Sequence, residues 1–171
     1  MARLIDLTHG TSRRTTREDE IPVVVRSADA IDRVPLDRLV TLATVVDLKD
    51  RPNSFQLTRG DLAKHGVADI GGCILFTGWC DGYLAGERTP PPELFVEAAA
   101  YLLEGGVRTV AADFPIVGDA ADLLLHNNCA LVHCVSNVSA LGRGIVRLIA
   151  LPLKFEDTFS AEARVIAMED P

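Results

Sequence analysis

The stretch PELFVEAAAYLL (Pro92–Leu103) runs directly into EGGVRTVAADFP (Glu104–Pro115), and its reading decides the fold. Proline at the first position and Glu93 in the first turn open a helix, and Gly105-Gly106 end it. Val107 to Ala112 is β-branched and small, as a covered strand is. Upstream, CILFT (Cys73–Thr77) is another continuous apolar run led in by Gly71-Gly72. Strand, helix and strand in this order favour a right-handed crossover and a locally parallel pair, so the chain reads as α/β.

Working outward, LATVVDL (Leu42–Leu48) has the composition of a strand buried on both faces, and Leu4–Leu7 is a short strand near the start. Thr58 caps a short helix with Asp61 in its first turn, Lys64 and His65 at its end and Gly66 where a left-handed residue is wanted. Thr8 to Glu20 and Gly78 to Pro92 read as loops, the second carrying the only tryptophan, Trp79. Asp119–Leu125 reads as a second short helix, and Cys129–Val135, Val146–Leu151 and Ala163–Met168 complete the strands. No repeat, low-complexity tract or linker divides the chain, so residues 1–171 are expected to form a single domain with a mixed sheet.

The composition narrows the function classes. The chain has 171 residues, 48% apolar, with 17 basic against 24 acidic side chains and a net charge of −7. A core of useful size is affordable at this length, and the acidic balance without a basic stripe argues against nucleic acid or an anionic membrane as partner. The apolar runs are too short to cross a bilayer, and Met1 to Asp6 lacks the hydrophobic segment of a leader, which points to the cytoplasm. Four cysteines without a C-x-x-C pair give neither a zinc ribbon nor a disulfide framework. A small-molecule substrate is the expected partner.

Several stretches together resemble the cyclase family that includes bacterial kynurenine formamidase and isatin hydrolase. They are DLTHG (Asp6–Gly10), VPLDRLV (Val34–Val40), FTGW (Phe76–Trp79), EGGVRTVAADFP, NVSAL (Asn137–Leu141), LIALPLKFED (Leu148–Asp157) and EARVIAM (Glu162–Met168). The resemblance implies a swivelling β/β/α fold and a homodimer or larger homo-oligomer. It also implies a divalent metal held by His-x-Gly-Thr-His-x-Asp, and that motif is missing here, since Ile21-Pro22-Val23 runs almost directly into Ser27–Arg33. Aligned on Asn137 and Leu141, the family's later Glu falls on His133 and its His near Ala121. No metal ligand set and no cofactor is therefore expected, and ordinary metal-activated water chemistry is not.

What remains are acid, base and nucleophile types. His133 stands where the family has a catalytic side chain, and an imidazole serves as acid or base near neutrality. Asp113 matches a family aspartate at a strand end and could orient a histidine or bind substrate. Cys80, beside Trp79, is a candidate nucleophile if a neighbour lowers its pKa. Trp79, Asn137, His126, His9, Arg13 and Arg14 are candidate substrate contacts, the last three able to meet an anionic group. Each has a plainer reading: a buried core thiol, a helix-ending His126, a turn-forming Asp113, a solvated loop at His9. Three functions follow: a metal-independent enzyme using acid/base chemistry in hydrolysis, cyclisation or elimination; a non-catalytic member kept for ligand binding or as a partner subunit; or a metal hydrolase whose relocated ligands His126, His133 and Asp113 converge. A cleft joining His133, Asp113 and Trp79 would favour the first, and a filled site the second.

Overall fold

A computed structural model describes residues 2–10, 22–50, 55–67, 70–142 and 144–169. In chain order the strands are β1 (Arg3–Asp6), β2 (Val24–Arg26), β3 (Val40–Asp47), β4 (Gln56–Leu57), β5 (Gly71–Phe76), β6 (Glu93–Leu94), β7 (Thr109–Ala112), β8 (Ala130–His133), β9 (Gly144–Pro152) and β10 (Ser160–Glu169). The helices are α1 (Leu36–Leu39), α2 (Arg59–Ala63), α3 (Trp79–Leu84), α4 (Val96–Glu104) and α5 (Gly118–His126). Strands β10, β2, β8, β7, β5, β3 and β9 pair in that order, and β9 pairs back onto β10, so the sheet closes into a seven-stranded barrel-like wall. Strand β1 pairs with the far half of β10, past β2. In this sheet the run β3-β5-β7-β8 is parallel and the other pairs are antiparallel, while β4 and β6 form a separate parallel pair. This is the mixed α/β architecture expected from the strand–helix–strand pattern.

Alternation along the strands builds two cores, one on each face of the wall. Ala43, Ile74, Phe76, Ala111, Val132, Leu148 and Val165 point inward and fill the barrel with Leu7 and Val25. Cys73, Leu75, Val110, Ala112 and Leu131 point outward, where α4 and α5 cover them. Each of these helices buries the same short pattern, Ala98, Ala99 and Leu102 in α4 and Ala120, Ala121 and Leu124 in α5. The paired alanines let both helices approach the sheet and each other closely. Burying a side chain such as Phe114, wholly inaccessible here, stabilises by about 2–3 kcal/mol.

The α2 start forms as the sequence implies: the Asp61 carboxylate accepts from the Thr58 N–H (3.1 Å) and hydroxyl (2.8 Å) in a capping box. Two local expectations are corrected, and one strand was not foreseen. Residues 79–84 of the expected loop form α3, entered through Gly78 in the left-handed region (φ 86°) and stiffened by Trp79 stacking on Tyr83 at 5.1 Å. Helix α4 starts at Val96 rather than Pro92, because Glu93 and Phe95 donate their N–H groups to Phe55 and Leu57 and extend the chain as β6 beside β4. Strand β2 is three residues long and has no readable periodicity, and it exists because β8 and β10 supply partners on both sides.

Candidate functional site

Parallel strands β5, β7 and β8 end side by side, and in open α/β sheets this edge is where ligands bind. Here each strand end carries chemistry-bearing residues. Asp113 follows β7, Thr77 and Gly78 follow β5, and His133 and Cys134 end β8. Cys134 lies in the left-handed region (φ 60°), as does Asn137 (φ 57°), so the chain turns twice in four residues after β8.

Asp113 is 1% exposed, and its carboxylate is fully engaged. It accepts from the Thr77 N–H (2.9 Å to Oδ1, 3.1 Å to Oδ2), the Thr77 hydroxyl (2.8 Å) and the Gly78 N–H (2.5 Å). Burial pushes its pKa up, to about 6, against the pull of the Thr77 and Gly78 hydrogen bonds. The carboxylate thus ties the turn after β5 to the end of β7 and supports the entry to α3.

His133 is 7% exposed, and its Nδ1 accepts the Ile116 N–H at 3.1 Å. That acceptor role places the proton on Nε2, which is buried and has no partner among the described residues. Burial first, and the nearby charge of Arg26 second, push the pKa down to about 4. The ring is neutral at pH 7, but its basic nitrogen is already occupied by the main chain.

Cys80 is buried and its thiol lies 3.4 Å from the Cys134 carbonyl oxygen. Burial, followed by Cys134, Asp113 and Asp81, pushes the Cys80 thiol pKa up, and burial with Asp113 raises Cys134 to about 12. Neither is a thiolate at neutral pH, and a thiol is a weak nucleophile. The Cys129 thiol lies 3.3 Å from the Val107 carbonyl oxygen.

Of the other expected contacts, Trp79 and Asn137 stay beside this cluster with their polar groups engaged inside the protein. Trp79 is buried, and its Nε1–H donates to the Thr89 carbonyl (3.0 Å). Asn137 donates its N–H to the Asp81 carboxylate (2.9 Å) and its Nδ2 to the Asp6 carbonyl (3.1 Å), which pins the turn after β8 to α3 and β1. His126 ends α5 with Nδ1 2.7 Å from the Asp122 carbonyl, the helix-ending role. His9 follows β1, beside a depression of about 380 Å³ shared with Thr8, Glu162 and Arg164. Arg13 and Arg14 fall outside the described residues. A larger cleft, about 470 Å³, runs between the first turns of α4 and α5 over Leu94, Phe95, Val96 and Val117. Neither concavity is lined by His133, Asp113, Cys80 or Trp79.

Sequence reading missed Thr77, Asp81 and Ile116, which hold Asp113, Asn137 and His133. The one available signal was the Thr-Gly pair after β5, a turn with free N–H groups waiting for an acceptor.

A divalent metal does not fit this set. Both Asp113 oxygens are taken by N–H and O–H donors, the thiols keep their protons, and the free nitrogen of His133 carries hydrogen. Among the described residues no three His, Cys, Asp or Glu side chains gather to hold an ion, so His126, His133 and Asp113 do not converge. No helix of the described residues is long and apolar enough to cross a membrane.

Comparison with known proteins places these observations. The family described as "Putative cyclase" matches residues 5–118. Among solved structures, a potential metal-dependent hydrolase with cyclase activity superposes with a TM-score of 0.81 at 16% identity, over 100% of both chains. Isatin hydrolase A from Ralstonia solanacearum gives 0.82 at 16% identity, over 99% of this chain and 92% of that one. Isatin hydrolase A from Labrenzia aggregata, bound to benzyl benzoate, gives 0.80 at 17%, over 98% and 93%. At these identities the likeness is one of fold. No curated protein matches the chain by sequence.

Proposed function

We propose that this chain, which belongs to the cyclase family, is a non-catalytic member that keeps the fold for binding. The observation that carries the reading is the closed state of the strand-end cluster: Asp113 accepts four hydrogen bonds from its own protein and stands 1% exposed. Acid/base chemistry on a small polar metabolite, the function first expected from the sequence, requires a proton acceptor within about 3 Å of a substrate atom. His133 offers its basic nitrogen to Ile116, and Cys80 and Cys134 offer protonated thiols. The hydrolase names of the structural neighbours belong to those proteins, and the missing His-x-Gly-Thr-His-x-Asp motif sets this chain apart from the metal chemistry its resemblance implies.

Two measurements test the reading together. N-formyl aryl amides and cyclic amides are incubated with the protein, with and without manganese or zinc, and the expected rate equals that of buffer. In parallel, Cys80 and Cys134 are alkylated in the folded protein, and the expected rate is on the order of a thousandfold below that of an exposed thiol. Turnover abolished by His133→Gln, or labelling of Cys80 as fast as in the unfolded chain, would overturn the proposal.

A further inference from the structure

The cleft of about 470 Å³ between the first turns of α4 and α5 has the size of a small-molecule site. Its apolar lining includes Leu94 and Phe95, with Val96 and Val117 standing 47% and 62% exposed. Both walls are fixed from behind. On the α4 side, Pro91 and Pro92 stiffen the chain, and Glu93 and Phe95 donate their N–H groups to the Phe55 and Leu57 carbonyls (3.1 and 3.0 Å). On the α5 side, Pro115 lies two residues past the clamped Asp113, and Ile116 gives its N–H to His133. The sealed strand-end cluster therefore holds one wall of an open cleft. A site whose walls are already in place loses little entropy on binding.

We propose that this cleft binds a small organic cation, an amine whose charged group meets the carboxylates of the cleft while its hydrocarbon body lies on the apolar lining. The inference rests on the binding reading above and names a ligand class for it. Charge sets the occupant. Glu93, Glu97 and Asp119 line the cleft, are exposed, and make no ion pair among the described residues. Among those residues no lysine, arginine or histidine lines it. The starts of α4 and α5 carry no side-chain cap, and each helix end contributes roughly half a positive charge. Two such ends do not neutralise three carboxylates, so an anion is repelled and a cation is drawn in. Glu97 and Asp119 also suit the dipoles of their helices, but Glu93 lies outside both, on β6, and helix stability does not account for it.

The full chain, isotopically labelled for NMR, is titrated with phenethylammonium to about 20 mM at neutral pH and low salt, beside phenylpropionate and phenylpropanol, which keep the ring and change the charge. The Leu94, Val96 and Val117 methyl signals should shift saturably with the amine, at a Kd near about 1 mM as suits so small a probe. The anion should bind at least about tenfold more weakly, with the alcohol between them. The triple variant Glu93→Gln, Glu97→Gln, Asp119→Asn should weaken the amine about tenfold and leave the alcohol unchanged, which shows that the cleft is intact. Val117→Lys, which places a tethered ammonium at an exposed position of the cleft, should weaken the amine by a similar factor at an unchanged melting temperature. Phe155 and Phe159 of the β9–β10 hairpin, 53% and 60% exposed, are the internal control for non-specific apolar contact. The proposal is overturned by an amine that gives no saturable shift, by equal binding of all three probes, by amine binding that the triple variant leaves intact, or by shifts confined to the hairpin. Amide turnover and thiol labelling are read in separate assays, so lost shifts leave the non-catalytic reading standing, and failure of that reading shows as turnover rather than as lost shifts.

Discussion

The strand-end cluster and the β9–β10 hairpin place side chains in opposite ways. At the ends of β5, β7 and β8, an aspartate, a histidine and two cysteines are sealed from water, while two phenylalanines on the hairpin stand in it. The cluster is tolerated inside because nearly every polar atom has a partner: Asp113 has three donors, His133 has Ile116, and the Cys80 thiol has a carbonyl. Within the cluster, His133 Nε2 is buried with no hydrogen-bond partner among the described residues. The hairpin is tolerated outside because its backbone is anchored by the 27–33 segment and does not rely on its side chains for stability. Residue type alone therefore misleads in both places. A carboxylate surrounded by the protein's own donors is a structural clamp, and an apolar side chain on a rigid exposed scaffold is a surface for something else.

The contrast is broken most strongly at Asp113. Asp113→Ala leaves the Thr77 and Gly78 N–H groups and the Thr77 hydroxyl without an acceptor inside the protein, and should cost about 3–5 kcal/mol in urea unfolding. Asp113→Asn should come close to that, because its amide turns an NH₂ toward groups that themselves donate. A variant of near wild-type stability would mean that the site is open to water and that the clamp is not needed.

The pH dependence separates Asp113 from His133. The His133 pKa falls from 6.5 in the unfolded chain to about 4 in the fold, so the unfolded state binds more protons between these values. Its contribution is complete above pH 6.5 and is lost as pH falls toward 4. The Asp113 pKa rises from 3.8 to about 6, so the folded state binds more protons in that window, and this contribution is lost as pH rises from 4 to 6. Each shift is worth about 3 kcal/mol, and the two nearly cancel in the wild type. His133→Gln should therefore be relatively more stable at pH 4.5 than at pH 7, measured as the difference in urea midpoints from wild type. Parallel profiles for wild type and variant would show that His133 is not buried as described.

The smallest effect sharpens the comparison from the other side. Phe155→Ala should change monomer stability by less than about 0.5 kcal/mol, measured at a protein concentration where the chains do not associate. Phe114→Ala, at a position with no exposure, should cost about 3–5 kcal/mol. Equal costs would mean that the hairpin belongs to the core.

The sequence alone determined the order of the main strands and helices, and the family. Continuous apolar runs, the Gly105-Gly106 helix end and the Thr58–Asp61 box are local, and their physics acts over a few residues, so strands fall where Cys73–Thr77, Val107–Ala112 and Val146–Leu151 were read. The missing metal motif is also local and visible. What only the tertiary structure decided is which polar residues are engaged and which apolar ones are bare. Asp113 finds Thr77 36 residues away, Asn137 finds Asp81 56 away, and His133 takes an N–H 17 residues upstream. No periodicity encodes these meetings, because strand pairing and helix docking bring the partners together. In the same way Leu148 and Leu151 belong to one apolar run, and only closure of β9 onto β10 turned the first into the barrel and the second out to water.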